Sequence, residues 1–100
     1  MKRLPIRWSK EAVENLRFIR NHISLDSPKR ATDFCKKLIK NAGSLRILPH
    51  RGREVPELWD QNPTPREILT GEYRLIYRVN SKRVEIVMIV HARRILPGCG

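Results

Sequence analysis

Arginine supplies the most conspicuous chemistry in this chain. Two arginines, Arg74 and Arg94, stand on or just after a run that reads as rigid strand. A guanidinium is planar, always charged, and forks onto phosphate through two parallel N–H bonds. His91, three residues before Arg94, can exchange a proton near neutral pH. These residue types suit cleavage of RNA by its own 2′-hydroxyl. That reaction needs alignment, a base for the hydroxyl proton, an acid for the leaving oxygen and cations for the charge that develops on phosphorus. Solvated surface arginines, with a histidine satisfied at a strand end, would give the same pattern. Other chemistries have less to start from. His22, His50 and His91 lack the spacing of metal ligands, so no metal and no cofactor is expected. No serine lies in a strand–turn–helix elbow, and Cys35 falls on the apolar side of a helical pattern, where it reads as core.

Those arginines belong to a strongly basic whole. The formal net charge of +11 over 100 residues favours a polyanionic partner such as nucleic acid or an acidic protein, and opposes the compact state by self-repulsion. The length makes one domain, 1–100, burying only about 60 to 65% of the surface its unfolded chain exposes. An apolar fraction of 40% excludes wholesale disorder, and no apolar run reaches the ~18 residues of a membrane span. The opening Met1, Lys2, Arg3, Leu4, Pro5 is interrupted by charge too soon for a secretory signal, so a cytoplasmic location is expected. Cys35 and Cys99 are not expected to form a disulfide.

The elements that must carry these residues follow from periodicity. Residues 3 to 8 alternate Leu4, Ile6 and Trp8 with Arg3 and Arg7, as in a short strand, and Pro5 places it at an edge. Ser9 caps a helix running to about residue 23, with Ala12, Leu16, Ile19 and Ile23 on one face. Asp26, Ser27 and Pro28 start a second helix. Its apolar side is Ala31, Phe34, Cys35, Leu38, Ile39, Ala42 and Leu45, and Lys29, Arg30, Lys36, Lys37 and Lys40 form a basic outer face. Prolines 49, 56, 63 and 65 with Gly52 make residues 48 to 65 a loop. Arg66–Leu69, Tyr73–Val79 and Arg83–Val90 then read as three strands. The architecture expected is α+β: an N-terminal helical hairpin on one face of a mainly antiparallel sheet of about four strands, with the other face left for a partner or substrate. Loop glutamates Glu54 and Glu57 are expected to neutralise nearby arginines, Glu57 through Arg51 or Arg53, and Trp8 and Trp59 to pack into the small core, with stacking on bases the alternative, above all for Trp59 in its polar loop.

In order and spacing, these pieces resemble the RelE/ParE superfamily of type II toxin–antitoxin toxins. The likeness runs from Ile6–Ala12 through the helical hairpin, Gly52–Leu58, Arg66–Ile68 and Tyr73–Val79 to Val84–His91 with Arg93 and Arg94. It implies a small toxin neutralised by an acidic antitoxin encoded beside it. RelE-like members cut mRNA in the ribosomal A site without a metal, whereas ParE-like members poison DNA gyrase. The basic surface favours the ribosome-dependent endoribonuclease, with ribosome and mRNA as partners and translation as the process stopped. Gyrase poisoning, or a degenerate member that only binds its antitoxin, is the alternative.

On the endoribonuclease reading, the resemblance gives Arg74 the scissile phosphate and Arg94 a second phosphate contact. Glu67 or Glu54 would be the base and His91 its partner in proton transfer, while Arg53, Arg66, Arg78 and Arg93 would contact RNA. The chain departs from RelE in lacking the strand lysines and the C-terminal tyrosine, and from familiar ParE toxins in having Ala92, Arg93, Arg94 where a methionine-containing tail follows the histidine. Since Arg74 is taken as an exposed strand residue, its replacement by alanine is expected to leave the fold intact.

Overall fold

A computed structural model describes residues 3–97, which leaves the expectation about Cys99 outside the described residues. The chain order is β1 (Ile6–Trp8), α1 (Lys10–Ser24), α2 (Pro28–Ser44), β2 (Arg53–Glu54), a 3-10 turn (Pro56–Leu58), β3 (Arg66–Thr70), β4 (Tyr73–Val79) and β5 (Val84–His91). The strands form one sheet in the order β1-β5-β4-β3-β2. Five strands stand where about four were expected, because Arg53–Glu54 pairs with Glu67 and Arg66 at the edge of β3. The sheet is mainly antiparallel, with β1 joined to β5 in parallel. No helix among the described residues is long and apolar enough to cross a membrane.

Both helices start as their caps dictate. The Ser9 side chain accepts from the Ala12 amide and the Ser27 side chain from the Arg30 amide, while Pro28 takes a first-turn position that needs no N–H. Their apolar stripes meet the sheet through Ala12, Ile19, Leu38, Ala42 and Leu45, which pack on Ile68, Leu75, Tyr77, Val84, Ile86 and Ile89. The basic residues of α2, Lys29, Arg30, Lys36, Lys37 and Lys40, are all exposed.

The near-continuous apolar run of β5 has a local cause. A register irregularity lets Ile76 pair with Met88 but Tyr77 with Ile86, so one extra residue, Val87, is accommodated in β5. Ile86 and Ile89 face the helices, whereas Met88 and Val90 face the other way. The irregular stretch also docks α1. Carbonyls of Ile86 and Val87 accept from the Ser9 amide (2.9 Å) and hydroxyl (2.7 Å), and Asn15 Oδ1 accepts from the Ile89 amide.

The sheet face turned away from the helices is not bare, contrary to expectation. Val55, Ile76, Val90 and Leu96 form a second apolar cluster there, flanked by Leu58 and Met88. The proline-rich loop and the segment after β5 therefore fold back over the strands. Gly52 makes this return possible. Its amide donates to the Tyr77 hydroxyl, which in turn donates to the Pro49 carbonyl, and a Cβ at position 52 would lie 2.6 Å from the Glu67 carbonyl oxygen and 2.7 Å from that hydroxyl.

Candidate functional site: a buried charge network and a basic groove on opposite faces

The antiparallel register sets which residues meet. Cross-strand partners project from the same face, so Tyr73 and His91 belong together on the helix side and Arg74 with Val90 on the outer side. Glu67, opposite Ile76, also faces outward. The four residues assigned to catalysis are thus divided: Arg74 and Glu67 lie on the outer face, His91 lies on the other, and Arg94, past the end of the strand, offers its carbonyl to Arg74 and also lines a groove with His91.

On the outer face, Arg74 is 4% exposed, not a surface residue. Its Nε donates to Glu67 Oε1 at 2.6 Å, and its two terminal nitrogens donate to the two oxygens of Glu57 at 2.7 Å each, the fork-to-fork geometry of a strong pair. Nη1 also donates to the Arg94 carbonyl at 2.9 Å. Four of the five N–H donors are engaged. Glu67, 2% exposed, turns its second oxygen to Arg53 Nε at 2.5 Å. Two cations and two anions make the network neutral, and no buried side-chain polar atom among the described residues lacks a partner.

Glu57 therefore pairs with Arg74 and not with Arg51 or Arg53. Its carboxyl is held far below the usual value of 4.5, at about 2, by the hydrogen bonds from Arg74, with burial opposing and the Leu96 amide assisting. That amide donates to Glu57 Oε2 at 3.0 Å. Glu57 and Arg74 together fasten the backbone at Arg94 and Leu96, on either side of an Ile95 that is 82% exposed.

The opposite face carries a groove of about 350 Å³ lined by Phe18, His22, Tyr73, His91 and Arg94 with the edge of the core beneath. His91 Nδ1 accepts from the Arg93 amide at 3.1 Å, which places the proton of the neutral ring on Nε2, 3.7 Å from a Glu72 carboxylate oxygen. Tyr73 meets the His91 ring edge-on at 5.4 Å, and burial pushes its phenol up. Phe18, 72% exposed, stacks on His22 at the rim.

The arginines expected to touch RNA divide as well. Arg53 is committed to Glu67, whereas Arg66 donates to the Gly52 and His50 carbonyls and Arg78 to the Gln61 side chain, neutral acceptors, with cross-strand neighbours Glu54 and Glu85 outside ion-pair distance. Arg93 and Arg94 are exposed, and no carboxylate of the described residues is within ion-pair distance of either. Glu54 is exposed on β2. Trp8 packs against the main core as expected, but Trp59 is 77% exposed. No group of metal-ligating side chains occurs among the described residues, and Cys35, its thiol pushed up by burial, is free.

The sequence reading missed three contributors. Glu57 looked like any loop glutamate, because its partner lies 17 positions away on a strand. Leu96 was one of two adjacent apolar residues in a tail, with nothing local to say which of them is buried. Phe18 was passed over because it falls off the apolar stripe of α1, and a large aromatic on the polar side of an amphipathic helix was the available signal.

Comparison with known proteins accords with this architecture. The family described as ParE toxin of type II toxin-antitoxin system, parDE, matches residues 6–96, which takes in every strand and helix and the Leu96 anchor. No curated protein sequence gives a match. Among solved structures, a chain from the chromosomal ParDE toxin–antitoxin system of P. aeruginosa superposes with a TM-score of 0.70 at 20% identity, covering 90% of this chain and 97% of that one, a likeness of fold. The two-helix, five-strand domain with its fastened C-terminal segment belongs to the ParE toxin family of type II toxin–antitoxin systems.

Proposed function

We infer that this toxin arrests growth by binding and poisoning DNA gyrase in the cytoplasm, and that it does not cut mRNA. One observation carries the reading: Arg74, the cation that RNA cleavage would need at the scissile phosphate, is buried and saturated by Glu57 and Glu67. A phosphate would have to displace two carboxylates that accept charge-assisted bonds in a desolvated site. Leaving one member of a buried pair without its partner costs about 3–5 kcal/mol. The rest of the catalytic set is no better placed. Glu67 is itself committed to two arginines, and His91 stands on the opposite face of the sheet. Glu67 has both oxygens engaged and His91 faces away, so neither is free to take the proton of a 2′-hydroxyl aligned on Arg74.

As a ParE-family toxin, the chain has an antitoxin as its partner. Its net charge of +11 suits an acidic antitoxin, drawn in by long-range attraction and retained by apolar contacts. Gyrase poisoning asks only for a binding surface, which exposed Phe18, Ile95, Arg93 and Arg94 can supply. The test uses purified toxin in two parallel reactions. Supercoiling by gyrase should be inhibited, and mRNA on programmed ribosomes should stay intact. Cleaved mRNA with gyrase unaffected would overturn the reading.

A further inference from the structure

The segment after β5 combines a fixed backbone with unsatisfied side chains. Its carbonyl at Arg94 and its amide at Leu96 are gripped by Arg74 and Glu57, and the Leu96 side chain is buried with Val55, Ile76 and Val90. Between and beside these anchors, Arg93, Arg94 and Ile95 are exposed, and Arg94 also lines the groove with Phe18, Tyr73 and His91. Residues that follow a last strand ordinarily fray. Here a buried arginine and a half-buried glutamate hold three residues in place.

We propose that Glu57 and Arg74 are positioning residues, which lock Arg94–Leu96 so that Arg93, Arg94 and Ile95, together with the Phe18 groove, form one preorganised docking surface for the toxin's protein target. The occupant would be a folded surface with carboxylates opposite the two uncompensated arginines and an apolar side chain for the groove. Preorganisation decides between the available partners. A segment that folds on binding adapts to its host and gains little from a fixed epitope, whereas a rigid target gains affinity from one, because the ordering cost has already been met. The inference rests on the reading of the toxin as one that acts by binding a protein.

The test compares Glu57→Gln, which keeps the shape of the clamp and removes its charge, with Ile95→Ser and Arg94→Gln, which alter the surface and spare the clamp. Each variant is induced in cells, and each is purified with wild type for trypsin digestion and for binding to the antitoxin of its module. Glu57→Gln should raise the cleavage rate after Arg93 and Arg94 by about tenfold through local release of the segment. It should also lose growth arrest while holding the antitoxin nearly as well as wild type. Ile95→Ser should lose growth arrest with the cleavage rate unchanged, and Arg94→Gln should be similarly weakened. If Glu57→Gln does not fold, the two surface variants still decide. Full growth arrest by Ile95→Ser and Arg94→Gln, or by a Glu57→Gln protein whose segment is demonstrably released, would overturn the proposal. So would an antitoxin affinity that falls by about tenfold in the surface variants while growth arrest persists, since the surface would then belong to the antitoxin. An error in the protein-target reading would show separately, as mRNA cleavage by the wild-type toxin.

Discussion

At the scale of single residues, Arg74 overturns the simplest expectation. An arginine alternating with apolar neighbours on a strand looks like a solvent-facing cation, but the outer face is covered, so its charge had to be neutralised in place. Arg74→Ala would leave buried Glu67 and half-buried Glu57 without their shared partner and should lower unfolding free energy by about 3–5 kcal/mol, where a surface change would cost under 0.5. Urea denaturation of the purified variant measures it. Glu57 predicts the acid response. Its folded carboxyl lies at about 2, below its ordinary 4.5, so the stabilisation is complete above the ordinary value and is lost as pH falls through about 2. Unfolding free energy should therefore fall between pH 4.5 and pH 2, and the fall should be smaller in Glu57→Gln. That the chain is rich in arginine was plain in the sequence. Which arginines remain free was not, because the partners of Arg74 lie 7 and 17 positions away in sequence, the farther one in a loop with no periodicity.

At the scale of elements, local signals served well where they were local. Ser9 and Ser27 with Pro28 fixed both helix starts, and the amphipathic spacing identified the buried side of each helix except at Ile39, which is exposed. Gly71, with φ of 57°, closes the β3–β4 hairpin in a two-residue loop whose first central position needs that conformation. Two features depended on pairing between distant segments and were illegible. The two-residue β2 exists only because Arg53 and Glu54 meet β3, and the irregularity in β5 is visible only against the register of β4. Ser9 joins these levels, since one hydroxyl caps α1 and also donates to the Val87 carbonyl 78 positions away. Ser9→Ala should cost about 1–2 kcal/mol, toward the upper end of what a lost cap costs alone. A thermal melt with the α1 amides followed by hydrogen exchange would detect it, and protection should fall first at Ala12.

At the scale of the whole molecule, a sheet with two covered faces sets aside the idea of a strand surface waiting for substrate. The main core holds the helices on one side, and a smaller cluster holds the proline-rich loop and the C-terminal segment on the other. The family was legible from the order of the pieces. The state of Arg74 was not, because a strand arginine can stand free for a phosphate or be paired in a clamp, and only the folded positions of Glu57 and Glu67 distinguish the two. Net charge of +11 remains available for steering toward acidic proteins, and association with the antitoxin should slow markedly as salt rises. The most direct test of the central claim is to induce this chain alone and follow thymidine and amino-acid incorporation by short pulses in the same culture. DNA synthesis is predicted to fall first, with protein synthesis following later. An early collapse of protein synthesis while replication continues would contradict the account and return the toxin to the ribosome.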